Sequence, residues 1–294
     1  MATPDSFLTG CRFVFVSQGK EFAMRRKSSI GSLKSKSFQS PDLRDQGTER
    51  DRVWSRQEGI PNWNQQTAWD TTVLQVGCGG LGGEILHSLV KKGYGEIHCF
   101  DGDTVDLSNL NRQQFTPKDL WKNKAERLAR NLAQDGCMGS HINAYPYFFE
   151  AALERGLDLT PAVVICGVDS DQSRRAVAEW AMRKHVPALF CAVSRDGDQC
   201  YCLVQRPGEA CFGCILPHAI NIDITPCPGV PAIIDPLKLA AALTSFAVDS
   251  LVMGRPIGWN YREIRLAGFM PELVRTVPRN PECPLCGENR EGQS

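Results

Sequence analysis

Three groups of residues have types and spacings suited to chemistry: a glycine-rich turn from Gly77 to Gly83, a polar loop from Asp101 to Gln113, and two Cys-x-x-Cys pairs. The turn, Gly77-Cys78-Gly79-Gly80-Leu81-Gly82-Gly83, satisfies G-x-G-x-x-G between the aliphatic run Val73-Leu74-Gln75-Val76 and a stretch, Glu84 to Lys92, with apolar residues at helical spacing. Glycine permits positive φ and lets the backbone approach phosphates, while the free N–H groups that open a helix favour negative charge. Gly77, Gly79, Gly80 and Gly82 are therefore candidate nucleotide-binding positions; the alternative is a glycine turn packed for its own sake. Asp101 ends a second apolar run, 24 residues beyond Gly77, where an acid in such folds accepts hydrogen bonds from ribose hydroxyls. To this point an NAD(P)-dependent oxidoreductase explains the residues as well as an ATP enzyme does.

The polar loop discriminates. Asp101-Gly102-Asp103-Thr104-Val105-Asp106-Leu107-Ser108-Asn109-Leu110-Asn111-Arg112-Gln113 is not needed beside the ribose of a redox cofactor. Asn109, Arg112 and, downstream, Lys124 place donors near the expected phosphates, which suits phosphoryl chemistry because donors stabilise charge developing on non-bridging oxygens and a divalent metal, Mg2+, usually shares that work. Taken singly, each is also an ordinary solvated loop charge.

Cys211-Phe212-Gly213-Cys214 and Cys283-Pro284-Leu285-Cys286 are separated by 68 residues. Four thiolates complete a tetrahedral Zn2+ site, and each spacing lets one turn present two sulfurs to one ion. Such a site has no open coordination position, so the zinc would be structural, tying the C-terminal tail to the domain; redox-active pairs and uninvolved thiols are the alternatives. Cys227 lies in a proline- and glycine-rich loop between the knuckles, where it reads either as an exposed nucleophile or as an inert thiol. Cys78, Cys99, Cys166 and Cys191 sit on or beside core strands, where packing is the default. Trp180 and Phe246 read as core, and His87 as a packed or solvated side chain rather than a ligand.

These residues need a frame to position them. Apolar runs at Val73–Val76, Ile97–Phe100, His141–Phe149, Val163–Cys166 and Ala188–Val193 alternate with helical patterns at 84–92, 123–135 and 173–184. That alternation predicts an α/β, Rossmann-like, mainly parallel sheet with helices on both faces. Beyond Asp196 a strand over 199–204 and a helix over 237–253 form a C-terminal strand and helix extension tethered by the knuckles, within one catalytic domain over 51–294. Residues 1–50 read as a basic, serine-rich, disordered leader in which only the apolar patch Cys11 to Val16 suggests a strand.

In 294 residues, Lys plus Arg equals Asp plus Glu at 33 each, so no global field draws nucleic acid or an anionic membrane. Thirteen cysteines without a secretory leader predict a reducing, cytoplasmic setting. The segment from Pro236 to Gly254 is interrupted by Lys238 and Asp249 and reads as a buried helix rather than a membrane span.

The run from Gly77 to Gln113 resembles the ThiF/MoeB/HesA family, which includes the adenylation domains of ubiquitin-activating enzymes, and the likeness extends over roughly residues 52 to 287. The resemblance implies that Gly80 meets the nucleotide and that Asp101 holds ribose. It further implies that Ser108, Asn109 and Arg112 meet phosphates, that Lys124 is the family lysine, and that Asp169, in Cys166-Gly167-Val168-Asp169-Ser170, serves metal and phosphates. Asp103 and Ser170 are counted with these contacts. The segment Arg52-Val53-Trp54-Ser55-Arg56-Gln57 approximates the family's Arg-Tyr-x-Arg-Gln opening, whose second arginine crosses a dimer interface; this implies a homodimer with Arg56 reaching the partner's site. The family often carries the paired knuckles, and a cysteine matching Cys227 forms a thioester or persulfide link in some members. The implied function is ATP-dependent adenylation of the C-terminal carboxylate of a small ubiquitin-like or sulfur-carrier protein, with Arg112, Lys124, Asp169, Cys227 and Arg56 as the catalytic set. An oxidoreductase leaves the Asn-Arg loop and the knuckles unexplained, and an inactive scaffold has no need of Asp101, Arg112, Lys124 and Asp169 together.

Overall fold

A computed structural model describes residues 26–30, 33–46, 48, 52–220, 231–267 and 272–287. Its centre is β3 (Thr72–Val76), whose alternate residues enter two different cores. Val73 joins one apolar cluster and Leu74 and Val76 the other. Burial on both faces is why the strand reads as an unbroken aliphatic run rather than an alternating one.

β4 (Glu96–Phe100) and β5 (His141–Tyr145) pair in parallel on one side of β3, and β6 (Val163–Cys166) and β7 (Ala188–Val193) on the other. The strand order therefore reverses at β3, leaving a crevice beyond the carboxyl ends of β3, β4 and β6, where open α/β sheets bind ligands. β8 (Gln199–Gln205), β9 (Tyr261–Arg265) and β10 (Glu272–Arg275) continue the same sheet in antiparallel fashion. The full order is β1-β2-β5-β4-β3-β6-β7-β8-β9-β10.

One face is covered by α2 (Gly80–Lys92), α3 (Lys124–Asp135) and α7 (Ile234–Val252), which contribute Ile85, Leu89, Leu128, Ala240 and Val248 to the first core. The other carries α4 (Phe149–Glu154), α5 (Asp171–Lys184) and α6 (Phe212–Ile215), with Phe149, Trp180 and Phe212 in the second core. The short α1 (Gln65–Trp69) precedes β3. Local signals set the helix ends. Asn123 and Ser170 cap α3 and α5 by accepting backbone N–H bonds, and Gly93, at φ 85°, ends α2 in the left-handed conformation that glycine adopts without steric penalty. Leu89 is fully buried on α2, so Leu89→Ala costs about 2–5 kcal/mol.

Part of the expected disordered leader is corrected. β1 (Arg26–Ile30) and β2 (Leu33–Gln39) pair antiparallel, and β2 pairs antiparallel with β5 at Lys36↔Ala144 and Phe38↔Ile142. The serines that suggested disorder are buried on this sheet: Ser35 and Ser37 are 4% and 9% exposed, Ser37 hydrogen-bonds Asn143, and Lys36 pairs with Glu126 of α3. Leu33 and Phe38 supply the apolar contacts, one to each core. The Cys11–Val16 patch lies outside the described residues.

α7 occupies the expected buried helix. Its Asp249 is 8% exposed and accepts hydrogen bonds from Lys92 at 2.5 Å and Tyr94 at 2.9 Å, which accounts for an acid in an apolar segment. Among the described residues no helix is long and apolar enough to cross a membrane. Trp180 is core, as expected. Phe246 is not: it is half exposed on the outer side of α7, while Ala247 and Val248 turn inward.

Candidate nucleotide site and cysteine cluster

β3 delivers the chain to Gly77, whose N–H bonds to Phe100 O at 2.9 Å and whose φ is 89°. A side chain there would also strike Val168 at 2.8 Å, so both backbone and space require glycine. The other glycines divide the work. A methyl on Gly82 would stand 2.0 Å from Gly77 O, so Gly82 lets α2 close on the turn. A methyl on Gly79 would meet only the Gln113 amide, at 3.8 Å, and otherwise faces open space. Gly79 is the N-cap of α2 and has no side chain to cap it, so the N–H groups that open the helix remain for an anion.

Asp101 follows β4 and is 9% exposed. Its carboxylate accepts the Cys78 N–H and the Asp103 N–H, each at 2.8 Å, locking the acid to the glycine turn. Burial pushes its pKa up, against the pull of Lys124 and of those two N–H groups. Lys124 Nζ bonds Asp103 at 2.9 Å, and the Asn123 amide donates to Asp101 O and Asp103 O at 2.8 and 3.1 Å. One small knot thus fixes the acid, the lysine and the start of α3.

Gly77, Gly79, Gly80, Asp101, Asp103, Arg112, Lys124, Asp169 and Ser170 all line one cleft at the strand-order reversal. Ser108 and Asn109 do not line it. They build the loop that presents Arg112. Asn109 is 7% exposed and its Oδ1 accepts the Asp106 N–H at 2.9 Å, while Asp106 accepts the Ser108 N–H at 2.9 Å. Arg112 Nη1 in turn donates to Ser108 O and to Asn111 Oδ1. Gly82 supports the turn from behind, as its contact with Gly77 requires. Arg56 is exposed on the turn segment 52–60 and lies outside this chain's cleft. Cys227 lies outside the described residues.

Gln113, Phe148, Glu150, Ser173 and Arg174 are among the lining residues to which sequence reasoning gave no site role. Gln113 had a signal, since it directly follows Arg112. Arg174 sits five residues after Asp169 in the first turn of α5, a spacing that puts both at one strand end.

The cysteine pairs, distant in sequence, converge. Cys211 Sγ lies 3.8 Å from Cys214 Sγ and 3.5 Å from Cys283 Sγ, Cys214 Sγ is 3.4 Å from Cys286 Sγ, and all four fall within 4.8 Å of one another. Zinc–sulfur bonds of about 2.3 Å place tetrahedral sulfurs roughly 3.8 Å apart, so this donor set fits the ion. The Asn280 N–H donates to Cys214 Sγ at 3.3 Å, a supporting contact of the kind that orients metal ligands. None of the four lines the nucleotide cleft. Cys78, Cys99, Cys166 and Cys191 are buried strand-end and strand thiols, with burial raising Cys166 to about 12 and Cys191 to about 11. They pack, as expected.

Comparison with known proteins places this geometry. Residues 54–245 match the model of the ThiF family. The sulfur carrier protein adenylyltransferase of Thermus thermophilus is 30% identical over 235 residues, covering 74% of this chain and 82% of that protein. The NEDD8-activating enzyme E1 catalytic subunit of Caenorhabditis elegans is 35% identical over 132 residues, 44% of this chain but only 30% of its own length, so the chain spans less than a third of that relative. Among solved structures, E. coli MccB with succinimide has a TM-score of 0.67 at 21% identity, covering 83% of this chain and 76% of that one. E. coli MccB with ATP has a TM-score of 0.62 at 22% identity, covering 76% and 68%. The fold is thus that of MccB, and with more than half of its length matched by the family model, the chain belongs to the ThiF family.

Proposed function

We propose that this protein adenylates the C-terminal carboxylate of a small ubiquitin-like or sulfur-carrier protein at the expense of ATP. The observation that supports this most is the convergence of an anion-ready helix start, a buried acid suited to ribose, the loop cation Arg112, Lys124 at the start of α3, and Asp169 on one cleft. The names of the Thermus and Caenorhabditis relatives point the same way.

The reaction needs no side-chain base, because a terminal carboxylate is already ionised at neutral pH. A carboxylate oxygen bonds to the α-phosphorus of ATP, the bond from that phosphorus to the bridging oxygen breaks, and pyrophosphate leaves with the electron pair. The product is the carrier's acyl-adenylate. Asp101 orients the ribose, the start of α2 and Arg112 and Lys124 hold the phosphates, and alignment with charge stabilisation supplies the rate. Mg2+, held by Asp169 and the phosphates, would neutralise part of the charge that builds on the leaving pyrophosphate.

Arg56, exposed in a single chain, would act from the second subunit of a homodimer. After adenylation the Cys227 thiolate would attack the acyl carbonyl, expelling AMP and leaving the carrier as a thioester; the persulfide link would form instead only if a separate sulfane-sulfur donor had first converted Cys227 to a persulfide, whose outer sulfur then displaces AMP. Zinc on Cys211, Cys214, Cys283 and Cys286 would be structural, fastening the C-terminal segment to α6, and the unpaired thiols suit a reducing, cytoplasmic setting.

The test is ATP–pyrophosphate exchange with candidate carriers, run beside thermal-shift titrations with ATP and with NAD. Carrier-dependent exchange together with an ATP-selective shift is expected. ATP binding without exchange on a carrier that forms a complex with the protein would refute adenylation, and an NAD-selective shift would refute the nucleotide assignment.

A further inference from the structure

The cleft has two halves. One, formed by the glycine turn, Asp101, Asp103, Arg112 and Lys124, accounts for the nucleotide. The other contains Asp169 and Ser170 beyond β6, Ser173 and Arg174 in the first turn of α5, Glu150 in the first turn of α4, and Val193 at the end of β7. Beyond the metal and phosphate roles given to Asp169 and Ser170, nothing assigned so far uses it.

Arg174 is the cation of this second half. Its side chain is 12% exposed, and Nη1 donates to Asp171 Oδ1 at 2.7 Å. Nε is buried and has no hydrogen-bond partner. Nε and one Nη form a planar fork that matches a carboxylate with two parallel bonds. Asp171 uses one nitrogen of the guanidinium, and the edge that includes Nε is unpaired among the described residues. A purely structural arginine would normally have its buried donors satisfied inside the protein.

The surrounding charge sharpens this. Glu150 and Asp169 line the same half, and Asp171 adjoins it. A second anion entering there is repelled by three acids unless a cation receives it, and Arg174 is the guanidinium in place to do so. The proposed reaction brings such an anion: a chain terminus whose carboxylate must reach the α-phosphate.

We propose that Arg174 receives the carrier's terminal carboxylate on its guanidinium and aligns it for attack. This rests on the adenylation reading and assigns its second substrate a binding residue. Asp171 would hold the guanidinium in place without neutralising the edge presented to the substrate. The nucleotide half should not depend on Arg174.

The test uses tetraglycine, chosen so that no side chain contributes, as the free acid and as the C-terminal amide. Each is titrated into the full chain saturated with Mg2+ and α,β-methylene-ATP, for the wild type, Arg174→Gln and Arg174→Lys. Melting curves establish that each variant is folded. The wild type is expected to prefer the acid about ten- to hundred-fold, as befits a hydrogen bond to a charged group. Arg174→Gln should abolish that preference while changing nucleotide affinity by no more than about twofold, and Arg174→Lys, keeping charge but not the fork, should fall between. No acid preference in the wild type, or one that persists in Arg174→Gln, overturns the proposal. So does a comparable loss of nucleotide affinity, which would make Arg174 a phosphate ligand. Should Arg174→Gln fail to fold, Arg174→Lys decides: an unchanged preference overturns the proposal and a reduced one sustains it. Absent exchange with whole carriers would sink the adenylation reading, a result separate from these peptide titrations.

Discussion

Two glycines in one motif, three residues apart, should fail in opposite ways. At Gly79 a methyl meets only the Gln113 amide, at 3.8 and 4.0 Å, so the free protein has space for it. In the proposed site the same methyl would stand where a phosphate approaches the opening N–H groups of α2. An added methyl in a filled site costs about 1–3 kcal/mol, which is roughly a 5- to 150-fold weaker Kd for ATP. At Gly82 the methyl instead lands 2.0 Å from Gly77 O and 2.9 Å from Gly77 C. These are backbone atoms that cannot swing aside, so α2 must lift from the turn. A comparable 1–3 kcal/mol then falls on stability and lowers Tm by roughly 2–12 °C for a domain of this size. Calorimetric ATP titration and thermal melting of both variants separate the two effects. Wild-type ATP affinity in folded Gly79→Ala, or a wild-type Tm in Gly82→Ala, would refute the division of labour.

Other perturbations have equally definite outcomes. Asp101→Asn should weaken ATP binding about ten- to hundred-fold, by loss of a charged acceptor, in equilibrium titrations. Because burial raises the folded pKa of Asp101 above its unfolded value, this group's contribution to the stability of the free protein is present below the unfolded pKa and lost as pH rises through the folded one. ATP affinity should follow the opposite course, falling as the carboxylate protonates, and the part due to Asp101 should vanish from the pH profile of Asp101→Asn. Asp119, 1% exposed, receives the Thr116 N–H at 2.9 Å, the Asn131 amide at 3.1 Å and Arg127 Nε at 2.6 Å. Asp119→Ala leaves Arg127 unpaired and should cost about 3–5 kcal/mol in urea denaturation. Burial opposes ionisation of Asp119, but these bonds outweigh it and hold its pKa below the usual carboxylate value. Its stabilisation is therefore complete above the unfolded pKa and lost as pH falls through the lower, folded one. Elemental analysis should find one zinc per chain, and a strong chelator or Cys283→Ser should lower Tm while leaving ATP affinity nearly intact.

The parallel centre of the fold was legible because Val73–Val76, Ile97–Phe100 and Val163–Cys166 are buried on both faces and so consist almost wholly of apolar residues. The antiparallel pair of β1 and β2 was not. β2 alternates lysine and serine, and its serines are buried through pairing with β5, more than 100 residues away in sequence. β9 and β10 are likewise charged strands, recognisable by their place beside β8 rather than by composition.

Within the cleft, glycines and strand-end acids were readable because backbone geometry restricts what can stand there. The loop was harder. Asn109 and Arg112 look equivalent in sequence, yet Asn109 is occupied by a capping bond and only Arg112 lines the cleft. Arg174 resembled any helix-surface arginine until α5 placed it against the strand ends.

The most direct test of acyl adenylation is to incubate the protein with Mg-ATP and a candidate carrier, quench quickly in acid, and measure the carrier's intact mass. A carrier heavier by one AMP, formed with stoichiometric pyrophosphate and absent when its terminal carboxylate is amidated, is the expected result. Pyrophosphate or ADP release that leaves the carrier's mass unchanged, and proceeds equally with the amidated carrier, would contradict it.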